Sequence, residues 1–121
     1  METNRRKILT AYIVLSRMAQ EPMSSFTAYK LYKLKKALQE EVDFQVQEEK
    51  KKVAELGGEF SDAGEHNLQG EQKEAYDKWR TELIDSPFEL DRGKVEISMR
   101  EMKNVSMAQM EALEDFIDWK E

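Results

Sequence analysis

The chain has 121 residues, enough for one folded domain and too few for two ordinary hydrophobic cores. Hydrophobic residues make up 40% of it and charged residues 36%, a composition that permits folding and favours a long exposed helical surface. The lack of cysteine excludes disulfides, thiolate nucleophiles and cysteine-ligated metal sites, and it favours a reducing compartment. We therefore expect a single cytoplasmic domain over residues 1–121.

The longest apolar run, residues 11–15, is far shorter than the roughly 20 residues of a membrane-spanning helix, so no membrane association is expected. The basic N-terminal segment is not followed by a small-residue cleavage pattern, which argues against a signal peptide. The net charge of −6 is unevenly distributed, with +3 in residues 1–58 and −9 in residues 59–121. Because both parts also carry apolar periodicity, we interpret the asymmetry as attraction within one fold.

Two helices are predicted in the first half of the chain. Apolar residues at steps of three and four predict a helix over residues 7–20, which Pro22 ends. Ser24 and Ser25 can cap a second helix, and no glycine or proline follows before Gly57. A helix over residues 25–56 would be about 48 Å long, longer than the diameter of about 35 Å expected for the whole domain.

The predicted long helix carries two apolar stripes. The first runs its full length and comprises Leu31, Leu34, Leu38, Val42, Val46, Glu49, Val53 and Leu56. The second lies in the first half and comprises Tyr29, Tyr32, Ala37 and Phe44. We therefore expect the first half of this helix to have neighbours on two sides and the second half to have one.

The second half of the chain is predicted to contain a loop, two helices and a β-hairpin. Residues 57–70 lack periodicity and predict a surface loop, and residues 71–85 predict a helix that pairs antiparallel with the end of the long helix. Strict alternation predicts a β-hairpin over residues 88–99. Ser106 and Gln109 form a capping box for a last helix over residues 107–120. The predicted fold is mainly α, with four helices, a long central helix in a helical hairpin, and a small β-hairpin before the C-terminal helix.

No catalytic, cofactor or metal motif is recognisable in the sequence. The chain lacks phosphate-binding, dinucleotide-binding and serine-hydrolase motifs, and its one histidine, His66, lies in a polar loop. We expect a protein that is not an enzyme, with no catalytic residue, no cofactor, no metal site and no small-molecule substrate. A metal-dependent hydrolase built on Asp62, Glu65 and His66 remains an alternative hypothesis.

A lysine-rich stretch of the long helix has two features of a nucleic-acid surface. Lys30, Lys33 and Lys36 recur every three residues, beside Tyr29 and Tyr32, which could stack on bases. The negative net charge opposes phosphate binding. We therefore do not expect nucleic-acid binding, and we interpret this stretch as a lysine face beside core tyrosines.

The order of elements resembles a family of small uncharacterised proteins encoded by phages and prophages of Gram-positive bacteria. The segments that carry the resemblance are AYKLYKLKKALQEEVDF, QEEKKKVAELGG, GEQKEAYDKW, KVEIS and SMAQMEALEDFIDW. The resemblance implies a phage or prophage origin and a role in the host cytoplasm. It implies no activity and assigns no role to any residue.

Two functional hypotheses follow. The first is a non-enzymatic protein-interaction or assembly module that binds a partner protein or self-associates as a homo-oligomer, because a long helix with an apolar stripe and an isolated hairpin both require partners. Its candidate interaction surface comprises Lys30, Lys33, Lys36, Val46, Val53, Leu56 and Trp79. The alternative is an acidic inhibitor of a host nuclease or defence system, in which the carboxylates of residues 59–121 mimic DNA.

Overall fold

The computed structural model describes residues 1–102 and 104–121 and shows a mainly helical fold. The described helices are α1 (Arg5–Met18), α2 (Ser25–Glu55), α3 (Gly70–Asp85) and α4 (Met107–Leu113). The described strands are β1 (Glu2–Thr3), β2 (Phe88–Glu89), β3 (Val95–Ser98) and β4 (Ile117–Lys120). A single 3-10 turn, Met99–Glu101, follows β3. The prediction of a mainly helical fold with four helices is confirmed.

Helix α2 is one unbroken helix of 31 residues, as predicted. The side chain of Ser24 caps its start by accepting a hydrogen bond from the Thr27 amide. At its end Gly57 adopts φ +83°, and the Gly58 amide donates to the Val53 carbonyl at 2.9 Å. This left-handed turn satisfies carbonyl groups that would otherwise lack a partner. Local capping signals and the absence of interior glycine or proline thus account for both ends of the helix.

The main hydrophobic core lies between α1 and the first half of α2, and residues from the strands and α4 close it. The helices α1 and α2 contribute Ile8, Ala11, Leu15, Met18, Leu31, Leu34 and Leu38. The later elements contribute Leu90, Ile97, Met102, Leu113, Phe116 and Ile117. The apolar stripe of α1 and the first half of the α2 stripe are therefore buried against each other.

A second, smaller core joins the end of α2 to α3 and the intervening loop. It consists of Val53, Leu68 and Tyr76, with Trp79 packed against it. Further toward the start of α2, the Glu49 carboxylate accepts a hydrogen bond from Arg80 Nε at 2.6 Å. Since later residues of α3 contact earlier residues of α2, the two helices run antiparallel, in agreement with the predicted helical hairpin.

The predicted β-hairpin over residues 88–99 is wrong in its pairing, although both strands exist. Strand β2 pairs antiparallel with β1 at the N-terminus, and β3 pairs in parallel with β4. The α-amino group of Met1 donates to the Leu90 carbonyl at 2.8 Å and extends the β1–β2 contact. Parallel strands need a crossover connection, which α4 supplies between β3 and β4. Each strand therefore pairs within the same chain.

The predicted C-terminal helix over residues 107–120 is correct only in its first half. The capping box of Ser106 and Gln109 is present and starts α4, but the helix ends at Leu113. Residues 117–120 form β4, in which Ile117 and Trp119 alternate with polar residues. Pairing with β3 satisfies the backbone of these residues outside a helix.

Two arginines at the start of α1 attach this helix to its surroundings. The Arg5 guanidinium lies 4.7 Å from the ring centroids of both Phe44 and Phe88, and its Nη1 donates to the Glu41 carboxylate at 3.1 Å. The Arg6 side chain makes two hydrogen bonds to the Asp85 carboxylate, and these hold the pKa of Asp85 below its ordinary value. The N-terminal part of α1 is thereby fixed to both α2 and α3.

Replacing Arg80 with alanine should lower the free energy of unfolding by about 2 kcal/mol. The Glu49 side chain is only 9% exposed, and without Arg80 its carboxylate would have no cationic partner. The loss is smaller than for a fully buried pair because Arg80 itself is 36% exposed. Urea unfolding followed by circular dichroism measures it. Lys73→Ala, which removes an exposed ion pair with Asp77, is the control and should cost less than about 0.5 kcal/mol. Equal losses for the two variants would contradict a special role of the Glu49–Arg80 pair.

Asp85→Asn should lower stability at pH 7, and the difference from the unsubstituted protein should shrink as the pH falls to 3. Because the folded pKa of Asp85 is lowered, its carboxylate stabilises the fold above the unfolded pKa, and this contribution is lost as the pH falls below about 4. Urea unfolding at both pH values and constant ionic strength tests it. Asp62→Asn, on the exposed loop, serves as control. A difference that persists unchanged at pH 3 would disagree with this assignment.

Candidate interaction surface

The first half of α2 buries one face and exposes the opposite one. Leu34 and Leu38 are fully buried in the main core. On the other side Phe26, Tyr29 and Tyr32 are 71%, 60% and 58% exposed. Exposed aromatic side chains that share one helix face are unusual in a monomeric protein and are typical of a binding surface.

The prediction that Tyr29 and Tyr32 belong to the core is therefore wrong. Phe44, from the same predicted stripe, is also exposed at 49%. The prediction failed because it required neighbours on two sides of α2, whereas α1, of only 14 residues, packs on one side. Spacing alone identified a second stripe but could not show that the fold supplies no element to cover it.

Lysines alternate with these aromatic residues along the same face. On a helix of 3.6 residues per turn, positions 26, 29, 30, 32, 33 and 36 fall within one continuous arc opposite the leucine stripe. We call this surface the aromatic-lysine face, comprising Phe26, Tyr29, Lys30, Tyr32, Lys33 and Lys36. It is about 15 Å long at 1.5 Å per residue. The three lysines belong to the surface predicted from the sequence, whereas Phe26 does not, although Phe26 precedes Tyr29 by three residues and so lies on the same helix face.

Two of the lysines lie over aromatic rings of this face. Lys30 Nζ is 4.5 Å from the centroid of the Phe26 ring and also donates to the Glu96 carbonyl at 3.0 Å. Lys33 Nζ is 5.5 Å from the centroid of the Tyr29 ring. Such contacts hold the ammonium groups beside the rings while leaving them open to an anionic partner.

The aromatic-lysine face is also free of acidic residues along the helix. No aspartate or glutamate occurs between Pro22 and Gln39. Within the described part of the chain, no carboxylate lies within 4.0 Å of the ammonium groups of Lys33, Lys35 or Lys36. The face therefore presents local positive charge on a protein whose net charge is −6.

The other residues of the predicted surface do not join this face. Val53 is fully buried, so the expectation that it contacts a partner is wrong. Leu56 and Trp79 pack against the same small core, and Val46 is half-buried. The α2–α3 contact explains the outcome, because the apolar stripe of the second half already has its partner within the chain.

The loop that connects α2 to α3 does not assemble the proposed hydrolase site. His66 Nδ1 accepts a hydrogen bond from the Leu68 amide at 3.1 Å, and its ring packs edge-on against Tyr76 at 4.7 Å between centroids. Asp62 and Glu65 are exposed. Among the residues that the structure describes, no group of three or more histidine, aspartate or glutamate side chains could hold a metal ion. The arrangement gives His66 a structural contact and does not support the hydrolase alternative.

The acidic residues of the second half are distributed over several elements and partly paired with cations. The paired groups are Asp77 with Lys73, Asp85 with Arg6, Glu89 with the N-terminus, Asp115 with Lys7, and Asp118 with Lys120. A DNA mimic requires unpaired carboxylates on one face at phosphate-like spacing. The ion pairs reduce the free negative charge, so this alternative gains no support from the geometry.

Comparison with known proteins does not add a function. A scan against models of protein families finds no family that matches this chain, and searches of curated proteins and of solved structures find no match either. Each described helix lacks the combination of length and apolar character that a bilayer-spanning segment requires. The geometry of the aromatic-lysine face is therefore the main basis for a functional proposal.

Replacing Tyr29 or Tyr32 with serine should change the free energy of unfolding by no more than about 0.5 kcal/mol, because both side chains are largely exposed and make little use of the core. Leu34→Ala, on the opposite face of the same helix, should cost about 3 kcal/mol through the cavity it leaves. Urea unfolding of the three variants measures the contrast. A loss near that of Leu34→Ala for either tyrosine would show that the rings support the fold.

Proposed function

We propose that this chain is a non-enzymatic protein-binding module that uses the aromatic-lysine face to contact its partner. The observation that carries the proposal is the exposure of Phe26, Tyr29 and Tyr32 on one face, interleaved with lysines, directly opposite a fully buried leucine stripe. The exposed rings contribute little to the stability of the chain itself. Burial of these rings against a partner would supply binding free energy.

The rigidity of α2 supports this proposal. The helix is continuous from Ser25 to Glu55 and is held by α1 over its first half and by α3 over its second. Tyrosine side chains on a rigid helix lose little conformational entropy on binding, which favours affinity at a small surface. The adjacent lysines provide electrostatic complementarity that orients an acidic partner.

A protein partner is favoured over nucleic acid. The stacking of bases on aromatic rings requires a dominant positive field along the strand, and the net charge of −6 opposes a polyanion beyond the short face. A protein partner can instead match the positive charge locally, over about 15 Å. Self-association is the second form of the same hypothesis, and measurement of the oligomeric state distinguishes the two forms.

We propose further that the protein acts in a bacterial cytoplasm as a phage or prophage product. The sequence resemblance to small phage and prophage proteins supports this origin. The proposal assigns no enzyme activity, cofactor or small-molecule substrate to the chain.

The experiment compares proteins captured from bacterial lysate by three immobilised forms. The double variant Phe26→Ser/Tyr29→Ser should lose specific partners by about tenfold or more relative to the unsubstituted chain, because truncation of central aromatic residues removes most of the binding free energy. Met107→Ser is the matched control, because Met107 is 85% exposed on a different helix and lies outside the face. Quantitative mass spectrometry measures the captured proteins.

The same captured proteins at equal amounts on all three forms would contradict the assignment of this face. Sedimentation equilibrium of the purified chain is the companion measurement. If the unsubstituted chain forms a dimer or larger oligomer and the double variant is a monomer, the face binds a second copy of the chain. A monomer with no face-dependent partner would contradict the proposed function.

A further inference from the structure

A half-open apolar groove lies where the end of α1 meets the start of α2, next to the aromatic-lysine face. Its volume is about 250 Å³, and its walls include Leu15, Met18, Met23 and Leu31. Tyr32 lines the groove and also belongs to the aromatic-lysine face. The groove and the face therefore form one continuous surface.

The rim of the groove carries charge of both signs at different places. Lys35 lines the groove on the side of α2, and its Nζ lies 5.8 Å from the centroid of the Tyr12 ring. Glu21 lines the groove in the turn after α1. A bound segment with carboxylates would therefore place them toward α2, where Lys35 lines the groove and Lys36 lies one helical turn after Tyr32, and away from Glu21.

We infer that this groove binds one apolar side chain from an acidic segment of a partner protein, while carboxylates beside that side chain pair with Lys35 and Lys36. The inference rests on the proposed function, because it names the chemistry of the partner that the aromatic-lysine face recognises. The apolar side chain supplies burial, and the carboxylates select acidic segments over neutral or basic ones.

The size and lining of the groove match an apolar side chain. An apolar cavity of about 150 Å³ accommodates a benzene molecule, so a groove of about 250 Å³ has room for a leucine, methionine or phenylalanine side chain. A nucleobase would bring polar edges against the side chains of Leu15, Met18 and Leu31, which offer no hydrogen-bond partner. Burial of an apolar side chain carries no such cost.

Charge complementarity identifies the rest of the segment. Between Pro22 and Gln39 the chain has four lysines and no acidic residue, and all four lysines lie on or beside the groove and the face. Glu101, whose carboxylate contacts Thr27 Oγ1 at 3.5 Å, is an acidic group near the start of α2. Of the four lysines, Lys35 lines the groove and Lys36 lies one helical turn after the lining residue Tyr32, so these two supply the positive charge at its rim.

The experiment selects binders from a displayed library of random twelve-residue peptides on the immobilised full chain. Enriched peptides should contain two or more acidic residues around one large apolar residue. A fluorescein-labelled selected peptide is then titrated by fluorescence anisotropy against the unsubstituted chain and against Ala28→Leu. Ala28 is exposed and lines the groove, so a leucine there would fill part of it without altering the core.

Ala28→Leu should weaken binding of the selected peptide by about tenfold or more, because the leucine side chain would occupy the part of the groove that the peptide's apolar side chain fills. The matched control is Ala54→Leu, the same change at an exposed position near the end of α2, which should bind as the unsubstituted chain does. Lys35→Glu/Lys36→Glu should weaken binding more strongly at low salt than at high salt. Circular dichroism confirms that all variants remain helical.

The outcomes separate this inference from the proposed function. If Ala28→Leu binds normally while Phe26→Ser/Tyr29→Ser does not, the groove inference is overturned and the protein-binding face stands. If neither variant affects binding, both are overturned. Three other outcomes would each overturn the inference, because each would show that the groove binds a different occupant. The first is enrichment of peptides without acidic residues, and the second is tighter binding of a labelled dT12 oligonucleotide than of any peptide. The third is a dimer in sedimentation equilibrium that Ala28→Leu dissociates.

Discussion

The fold depends on covering an apolar stripe that runs the full length of α2. No single neighbour is long enough, because α1 has 14 residues and α3 has 16 against 31 in α2. The chain therefore uses α1 for the first half and α3 for the second, and each packs on the same side of the helix. This solution buries the leucine stripe completely but leaves the opposite side of α2 open to solvent.

The contact between α2 and α3 adds a polar constraint to this packing. Glu49 and Gln45 lie buried on the α2 stripe where apolar residues would pack more simply, and Arg80 reaches Glu49 across the helix pair. A buried carboxylate is costly unless it is paired, so displacement of α3 by one turn would leave Glu49 unpaired. The pair thereby sets the register of the helical hairpin. It also ties the second half of α2 to α3, and the same continuous helix carries the aromatic-lysine face.

The sequence predicted those features that depend on neighbouring residues. The limits of α2 follow from Ser24 and Gly57, and the start of α4 follows from its capping box. Strand pairing could not be predicted in this way, because β2 finds its partner at residues 2–3, at the other end of the chain. The alternation in residues 117–120 fits a strand, yet the same apolar residues also continue the helical pattern of α4. The exposure of Tyr29 depended on how many elements pack around α2, which no local pattern records.

The lysines explain how a folded chain can carry a surface with three exposed aromatic rings. The ammonium groups of Lys30 and Lys33 lie 4.5 and 5.5 Å from the centroids of the Phe26 and Tyr29 rings. Long lysine side chains placed over rings in this way cover part of their apolar area. An approaching carboxylate would exchange with water at the ammonium groups, and an approaching apolar surface would displace water from the rings. An apolar surface alone would remove water from the lysine ammonium groups without replacing their hydrogen bonds, which costs free energy. A carboxylate alone would leave the rings exposed and gain nothing from their burial. Binding is therefore most favourable when both exchanges occur together. The interleaving of the two residue types therefore favours a partner that combines acidic and apolar groups, and it disfavours association with surfaces that offer only one of them.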